Sequence, residues 1–159
     1  MKVEARIEER GLILPPETPP RPDFPTPFTR VRMSRNRLFV AGQGPKDADG
    51  GYAGPWGKVP SEVTLEQGQE AARKIALTML GDLQRALGDL DRITAWMFVH
   101  GYVNADPGYE KTTLVMNGFS DLILELFDRE IGDHARSSIG VAALPNNVPV
   151  IIAVELEYQ

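Results

Sequence analysis

Apolar residues recur at helical spacing through Ala72, Ile75, Ala76, Met79, Leu80, Leu83 and Leu87. Thr64 and Gln67 form a capping-box pattern ahead of them and Gly88 stands behind, so the spacing predicts a helix from Thr64 to Gly88. A second stripe, Val115, Phe119, Leu122, Ile123, Leu126 and Phe127, predicts another helix. Between them, Ile93 to Val103 is apolar at both parities, which suits a strand buried on two faces. Two strand-like pieces from Phe28 to Ala41 flank a turn at Ser34–Asn36. Near the end, two apolar runs joined at Pro145–Asn147 read as a hairpin. Val3 and Ile7 share one side of a short N-terminal helix that Gly11 stops. The order β-β-α-β-α-β-β describes an α+β domain with two helices on one face of a sheet.

Pro15, Pro16, Pro19, Pro20, Pro22, Pro25 and Pro27 hold the chain extended in polyproline II form. Residues 1–27 therefore read as a helix and proline-rich arm, and residues 28–159 as one domain. The arm is either a linker or a strap across a neighbour; the sequence leaves both open. The segment Gly42 to Pro60 reads as loop, and Trp56 within it is expected to pack, given its large apolar area.

With 159 residues, 42% hydrophobic and 25% charged, the chain suits one domain that buries about two thirds of its unfolded surface. A net charge of -5 and a pI near 5.1 argue against a broad footprint for nucleic acid. The local basic density of Arg30, Arg32, Arg35 and Arg37 reads as the polar face of a strand. The chain has no cysteine, which removes disulfides, thiol nucleophiles and thiolate metal sites. It has no apolar stretch of about 18 residues and no signal-peptide pattern. The expectation is a cytoplasmic protein without a membrane partner.

Candidate chemistry centres on Arg136, which directly precedes the small and apolar run Ser137 to Ala143. A guanidinium there needs an anion, and its planar fork matches a carboxylate bidentately. The alternative is a structural pair with a nearby Asp or Glu. His100 and His134 have no histidine or cysteine at metal-ligand spacing, so no metal is expected. His134 reads as an exposed turn residue beside Arg136. Gly42-Gln43-Gly44-Pro45 lacks the lysine and helix of a phosphate loop and reads as a strand end needing close backbone approach. Glu155 and Glu157 read as alternation on a solvent-facing side. Asn117 is either a cap or a ligand contact, and Asn104, Asp106 and Asp133 read as turn formers.

VAGQGP at 40–45, GDLDRI at 88–93, GYVNADPGY at 101–109 and ARSSIGVAALPNNVPV at 135–150 together resemble the YjgF/Rid family. The N-terminal arm and NGFSDLILELF at 117–127 resemble its subgroup labelled YjgF/chorismate-mutase-like endoribonuclease. The resemblance implies chorismate-mutase-like α+β subunits, each a mixed β-sheet with two helices packed on one face. It implies that three of them form a homotrimeric barrel with ligand clefts between subunits. The best-understood members hydrolyse imines and enamines to ammonia and a 2-keto acid without a cofactor. By resemblance, Arg136 holds the substrate carboxylate, Asn117 lines the cleft in a catalytic role, and Gly42 supplies backbone contact.

Where deaminating members carry a tyrosine, a serine and a glutamate, this chain has Phe28, Ala41 and Ile151. Each change removes a group able to position water or move a proton. Glu155 is no replacement for that glutamate, since four residues of strand separate it from Ile151 by about 13 Å. Three readings follow. The first is deaminase-like hydrolysis of a small imine, enamine or related carboxylate. The second is a non-catalytic trimer that binds keto or amino acids, and the third, ranked below both, is RNA cleavage.

Overall fold

In the computed structural model, which describes residues 2–159, Val3 and Ile7 anchor helix α1 (Lys2–Glu9) on the core. The proline-rich segment then runs back over the same chain. Pro15 is buried, its carbonyl accepts from Arg85 Nη1 at 3.0 Å, and the Thr18 hydroxyl reaches the Gly50 carbonyl at 3.3 Å. Residues 12–18 of the arm thus pack along their own chain.

Strands β1 (Val31–Ser34) and β2 (Arg37–Gln43) form the expected hairpin. Helix α2 (Leu65–Leu87) has the full capping box at Thr64 and Gln67, and Gly88 closes it in the left-handed region at φ 80°. Next come β3 (Ile93–Asn104), α3 (Thr112–Leu126), the short α4 (Arg129–Gly132), β4 (Ala135–Val141) and β5 (Val150–Tyr158). No helix among the described residues is long and apolar enough to cross a membrane.

The sheet order is β1-β2-β5-β3-β4, which corrects the predicted terminal hairpin. β4 and β5 do not pair with each other; they flank β3. The reason is the helix between β3 and β4. A helical crossover returns the chain parallel to the strand it left, so β4 lies parallel to β3. The turn at Pro145–Asn147 then carries the chain to the other edge of β3, where β5 runs antiparallel. The strand that is apolar on both faces thus takes a central position.

The core lies between the sheet and α2 and α3. Leu38, Val40, Val99, Val154 and Leu156 meet Ile75, Met79, Phe119 and Leu122 there, all essentially inaccessible. Trp96 fixes the layer spacing by edge contacts with Phe119 and Phe127, at 6.0 and 5.5 Å between ring centroids. The helices cross at Gly118, where a Cβ would fall 2.0 Å from the Gln69 carbonyl oxygen.

The opposite sheet face carries no helix. Phe39 and Phe98 flank Glu155 there, and Ile139 pairs with Tyr102. Phe39 is 40% and Ile139 49% exposed. Glu155 is not simply solvated: it lies 2.8 Å from His100 Nε2 and 3.5 Å from Arg37. The four arginines likewise do not share one strand face. Arg35 sits in the turn at φ 56°, and Arg30 precedes β1, half-buried.

Candidate functional site

Arg136 pairs with Val99 across the parallel ladder, and Val99 faces the helices, so Arg136 points under α3. Three α3 residues at helical spacing receive it: Thr113, Asn117 and Ser120. Nη1 donates to Ser120 Oγ at 2.8 Å, and Nη2 donates to Asn117 Oδ1 at 3.0 Å and the Thr113 carbonyl at 3.2 Å. The guanidinium is therefore already oriented by its own chain. The alternative of a structural salt bridge fails, since no carboxylate pairs with Arg136 among the described residues. Burial pulls the guanidinium below its usual value, with the charge of Asp121 acting the other way. All three acceptors are neutral oxygens. They orient the cation without cancelling it.

His134 is half-buried rather than an exposed turn residue. Its Nδ1 lies 2.7 Å from the Gly132 carbonyl, which can only accept, so Nδ1 carries the proton. Nε2 is then free to accept from the Ser120 hydroxyl at 2.9 Å. Burial lowers the His134 pKa, and the Arg136 charge lowers it further, against the Gly132 hydrogen bond and Asp133. The result is an ordered relay from Arg136 through Ser120 to a neutral imidazole.

Phe28, Gly42 and Ile151 meet elsewhere, in a cavity of about 390 Å³ that also exposes Arg30, Gln43, Lys46, Tyr52 and Val148. A Cβ on Gly42 would press on Ile151 Cγ2 at 3.0 Å, which bears out the expected close approach at this strand end. Ala41 is not part of this lining; its amide instead donates to the Arg30 carbonyl at 2.8 Å. Gln43 turns inward and donates to Asp82 Oδ2 at 2.7 Å. Trp56, expected to pack, is 45% exposed and rims a shallow depression with Tyr52 and Arg21.

The chain therefore holds two separate groups. Arg136, Val99, Val154 and Val40 form one row across the sheet, so Arg136 sits three strands from β2, about 14 Å away at strand spacing. Arg136 and Asn117 come together, as do Phe28, Gly42 and Ile151, but the two sets do not meet. Ser120 was missed in the sequence, although Thr113, Asn117 and Ser120 at i, i+4 and i+7 form a legible polar seam. Lys46 was also missed, and a single lysine in a loop gives no signal.

A third cluster, Glu4, Asp89 and Asp91, brings carboxylate oxygens within 4.8 Å of one another. Its oxygens accept from the amides of Lys2, Val3, Leu90 and Asp91, so it ties α1 to the turn before β3.

These layers and this arginine edge define an α+β protein of the chorismate-mutase-like class. No family model matches the chain. Protein TCP17 of Trypanosoma cruzi is 36% identical over 156 residues, spanning 98% of this chain and 94% of TCP17. Agrobacterium tumefaciens Atu1372, of unknown function, gives a TM-score of 0.84 at 32% identity over 99% of this chain and 92% of its own. A Shewanella oneidensis protein, provisionally named an endoribonuclease, gives 0.88 at 25% identity over 99% of both chains. YyfA of Yersinia pestis, a Rid-family protein of unknown function, shares the fold at a TM-score of 0.58 and 20% identity over 91% and 97%. E. coli TdcF with bound serine does so at 0.57 and 16% over 86% and 91%. The chain belongs to the YjgF/Rid family.

Proposed function

We propose that the protein is a homotrimer that binds a small carboxylate-bearing imine, enamine or related molecule in a cleft between protomers. Arg136 and Asn117 of one copy would face Phe28, Gly42 and Ile151 of the next. The observation carrying this reading is the half-buried Arg136 guanidinium, whose hydrogen-bond partners are all neutral oxygens. Partly desolvating a cation with no directly bonded carboxylate is costly, and a ligand carboxylate supplies that charge through the strongest class of hydrogen bond. Serine bound to the TdcF relative is a small carboxylate of this kind.

The trimer has separate support. A sheet face bearing Phe39, Phe98 and Ile139 stands open, and in one copy the two parts of the site lie apart. In the deaminase-like reaction, water adds to the imine carbon, a proton passes to nitrogen, and ammonia leaves as the carbonyl forms. Asn117 and backbone groups near Gly42 would hold the water. A non-catalytic binding role is the second reading, and the absence of proton-handling side chains at Phe28, Ala41 and Ile151 favours it. Light scattering combined with calorimetric titration of pyruvate or 2-oxobutyrate tests both. Trimers that bind either acid support the common core of the readings. A stable monomer at micromolar concentration, or trimers that ignore both acids, would overturn it.

A further inference from the structure

The cavity beside Gly42 contains a charge arrangement that the proposed carboxylate anchor does not use. Lys46 is 5% exposed, lines this cavity, and has no hydrogen-bond or ion-pair partner among the described residues. Its ammonium stands over the Tyr52 ring, 5.7 Å from Nζ to the centroid. Arg30 lines the same cavity, and its Nη1 is fully buried without a partner. The nearby carboxylate, Asp82, already receives Gln43 at 2.7 Å and Arg85 at 2.6 Å. Asp82 is thus already paired with Arg85, and Arg30 and Lys46, the two cations that line the cavity, have no carboxylate partner among the described residues.

Burial brings the Lys46 pKa down to about 8, with Arg30 and Arg85 lowering it and Asp82 raising it. A fold has no structural need for an ammonium in this setting, because a methionine of similar length would fill the space without the desolvation cost. Unpartnered cations lining an open cavity are arranged for an anion that arrives from outside.

We propose that Lys46 and Arg30 form a second anion subsite, so that the ligand of this protein is a small dicarboxylate such as a 2-oxo diacid or its imine. The two-ended ligand rests on the reading of Arg136 as anchor for the first carboxylate; the Lys46–Arg30 subsite stands without it. Phe28, Val148 and Ile151 supply an apolar wall for the carbon chain between the two ends. A carboxylate on Lys46 replaces the lost hydration of the ammonium and holds it protonated. Binding above pH 8 therefore takes up a proton.

The test compares 2-oxoglutarate with 2-oxopentanoate, which has the same chain length but ends in a methyl group, and with inorganic phosphate. Titration of the intact protein at pH 7 should show 2-oxoglutarate binding at least tenfold tighter than 2-oxopentanoate, and phosphate no tighter than 2-oxopentanoate. Lys46→Met and Arg30→Met should each reduce that preference at least fivefold. Lys46→Met should also melt no lower than wild type. Affinity for the diacid should fall as pH rises through 8 in wild type but not in Lys46→Met.

Equal affinity for the two oxo acids in wild type overturns the proposal, as does a preference that persists in both variants. Phosphate binding tighter than the diacid would assign the subsite to a phosphate instead and overturn the dicarboxylate. Arg136→Ala separates the two ideas. Loss of both oxo acids supports the shared cleft. Retained, Lys46-dependent binding of the diacid removes Arg136 as anchor and leaves the second subsite standing.

Discussion

Ser120 Oγ lies 2.9 Å from His134 Nε2, and the same oxygen accepts from Arg136. While the imidazole is neutral, the serine hydroxyl donates to His134 and accepts from Arg136; a protonated His134 would turn that hydroxyl round and place a second cation, half-buried, beside the guanidinium. Burial and the Arg136 charge keep the His134 pKa below its ordinary 6.5. Above pH 6.5 the histidine is neutral in folded and unfolded chains alike, and its contribution to stability is complete. As pH falls below 6.5 the unfolded chain takes the proton first, so stability is lost until the folded pKa is reached. Melting midpoints between pH 7.5 and 5 should fall in wild type and fall less in His134→Gln, which keeps an acceptor but cannot titrate. Parallel curves would exclude His134 as the source.

Arg136 has two separable contributions, to ligand and to fold. Charge-assisted hydrogen bonds are worth about 1.5–3 kcal/mol each, so Arg136→Ala should weaken pyruvate or 2-oxobutyrate binding at least tenfold. Arg136→Lys should recover little, because an ammonium keeps the charge but loses the fork. Both variants should still fold, since the side chain is half-buried at a sheet edge and bonds only to α3. Calorimetry with thermal melts distinguishes the contributions. Unchanged affinity in Arg136→Ala, or a collapse of that variant when wild type binds neither acid, would make this arginine a brace between β4 and α3.

The two long helices, the caps of α2 and the presence of β3 were legible because each rests on local chemistry, whereas the second face of β3, expected to be buried, carries the 43% exposed Met97. Thr64, Gln67 and Gly88 act within one turn of themselves. The pairing of β4 was not legible, because an apolar run joined to another by Pro-Asn-Asn reads as a hairpin whether the strands pair or straddle a third. Arg136 and Asn117, which the family resemblance assigns to one cleft, meet at 3.0 Å. Gly42 and Ile151 touch, yet their distance from Arg136 follows from strand order, which no residue pattern encodes. Lys46 was invisible for a different reason. Its meaning comes from Arg30 and Asp82, which lie far from it in sequence.

Turnover of simple imines should be weak. Phe28, Ala41 and Ile151 offer no group that moves a proton, and each such group contributes about 10²–10⁴-fold where it takes part in acid–base catalysis. An amino-acid oxidase or pyridoxal-phosphate lyase can supply 2-iminopropionate, with decay of the imine followed against the uncatalysed rate. Acceleration near the background supports a binding role for the protein. Rates typical of an efficient deaminase would show that Asn117 and backbone groups suffice for the chemistry.

Gly118 gives the most direct test of the architecture that places the arginine edge. It lies one residue after Asn117 on α3, where α2 comes so close that an added Cβ would sit 2.0 Å from the Gln69 carbonyl oxygen. That oxygen belongs to the backbone of a helix and cannot rotate away, so relief requires moving one helix off the other. Overpacking of this kind costs about 1–3 kcal/mol and more when backbone must shift. The upper end of that range lowers the melting midpoint by about 6–12 °C for a chain of this size. Gly118→Ala should show such a drop at fixed protein concentration. Gln69→Ala combined with Gly118→Ala should not restore it, because the obstacle is the Gln69 main chain, although its side chain also bonds the Leu114 carbonyl at 3.0 Å. The displaced α3 should carry Asn117 and Ser120 with it, so carboxylate affinity should weaken even where the protein remains folded. A Gly118→Ala protein that melts and binds like wild type would mean that the helices sit further apart, and the orientation of Arg136 by α3 would have to be abandoned.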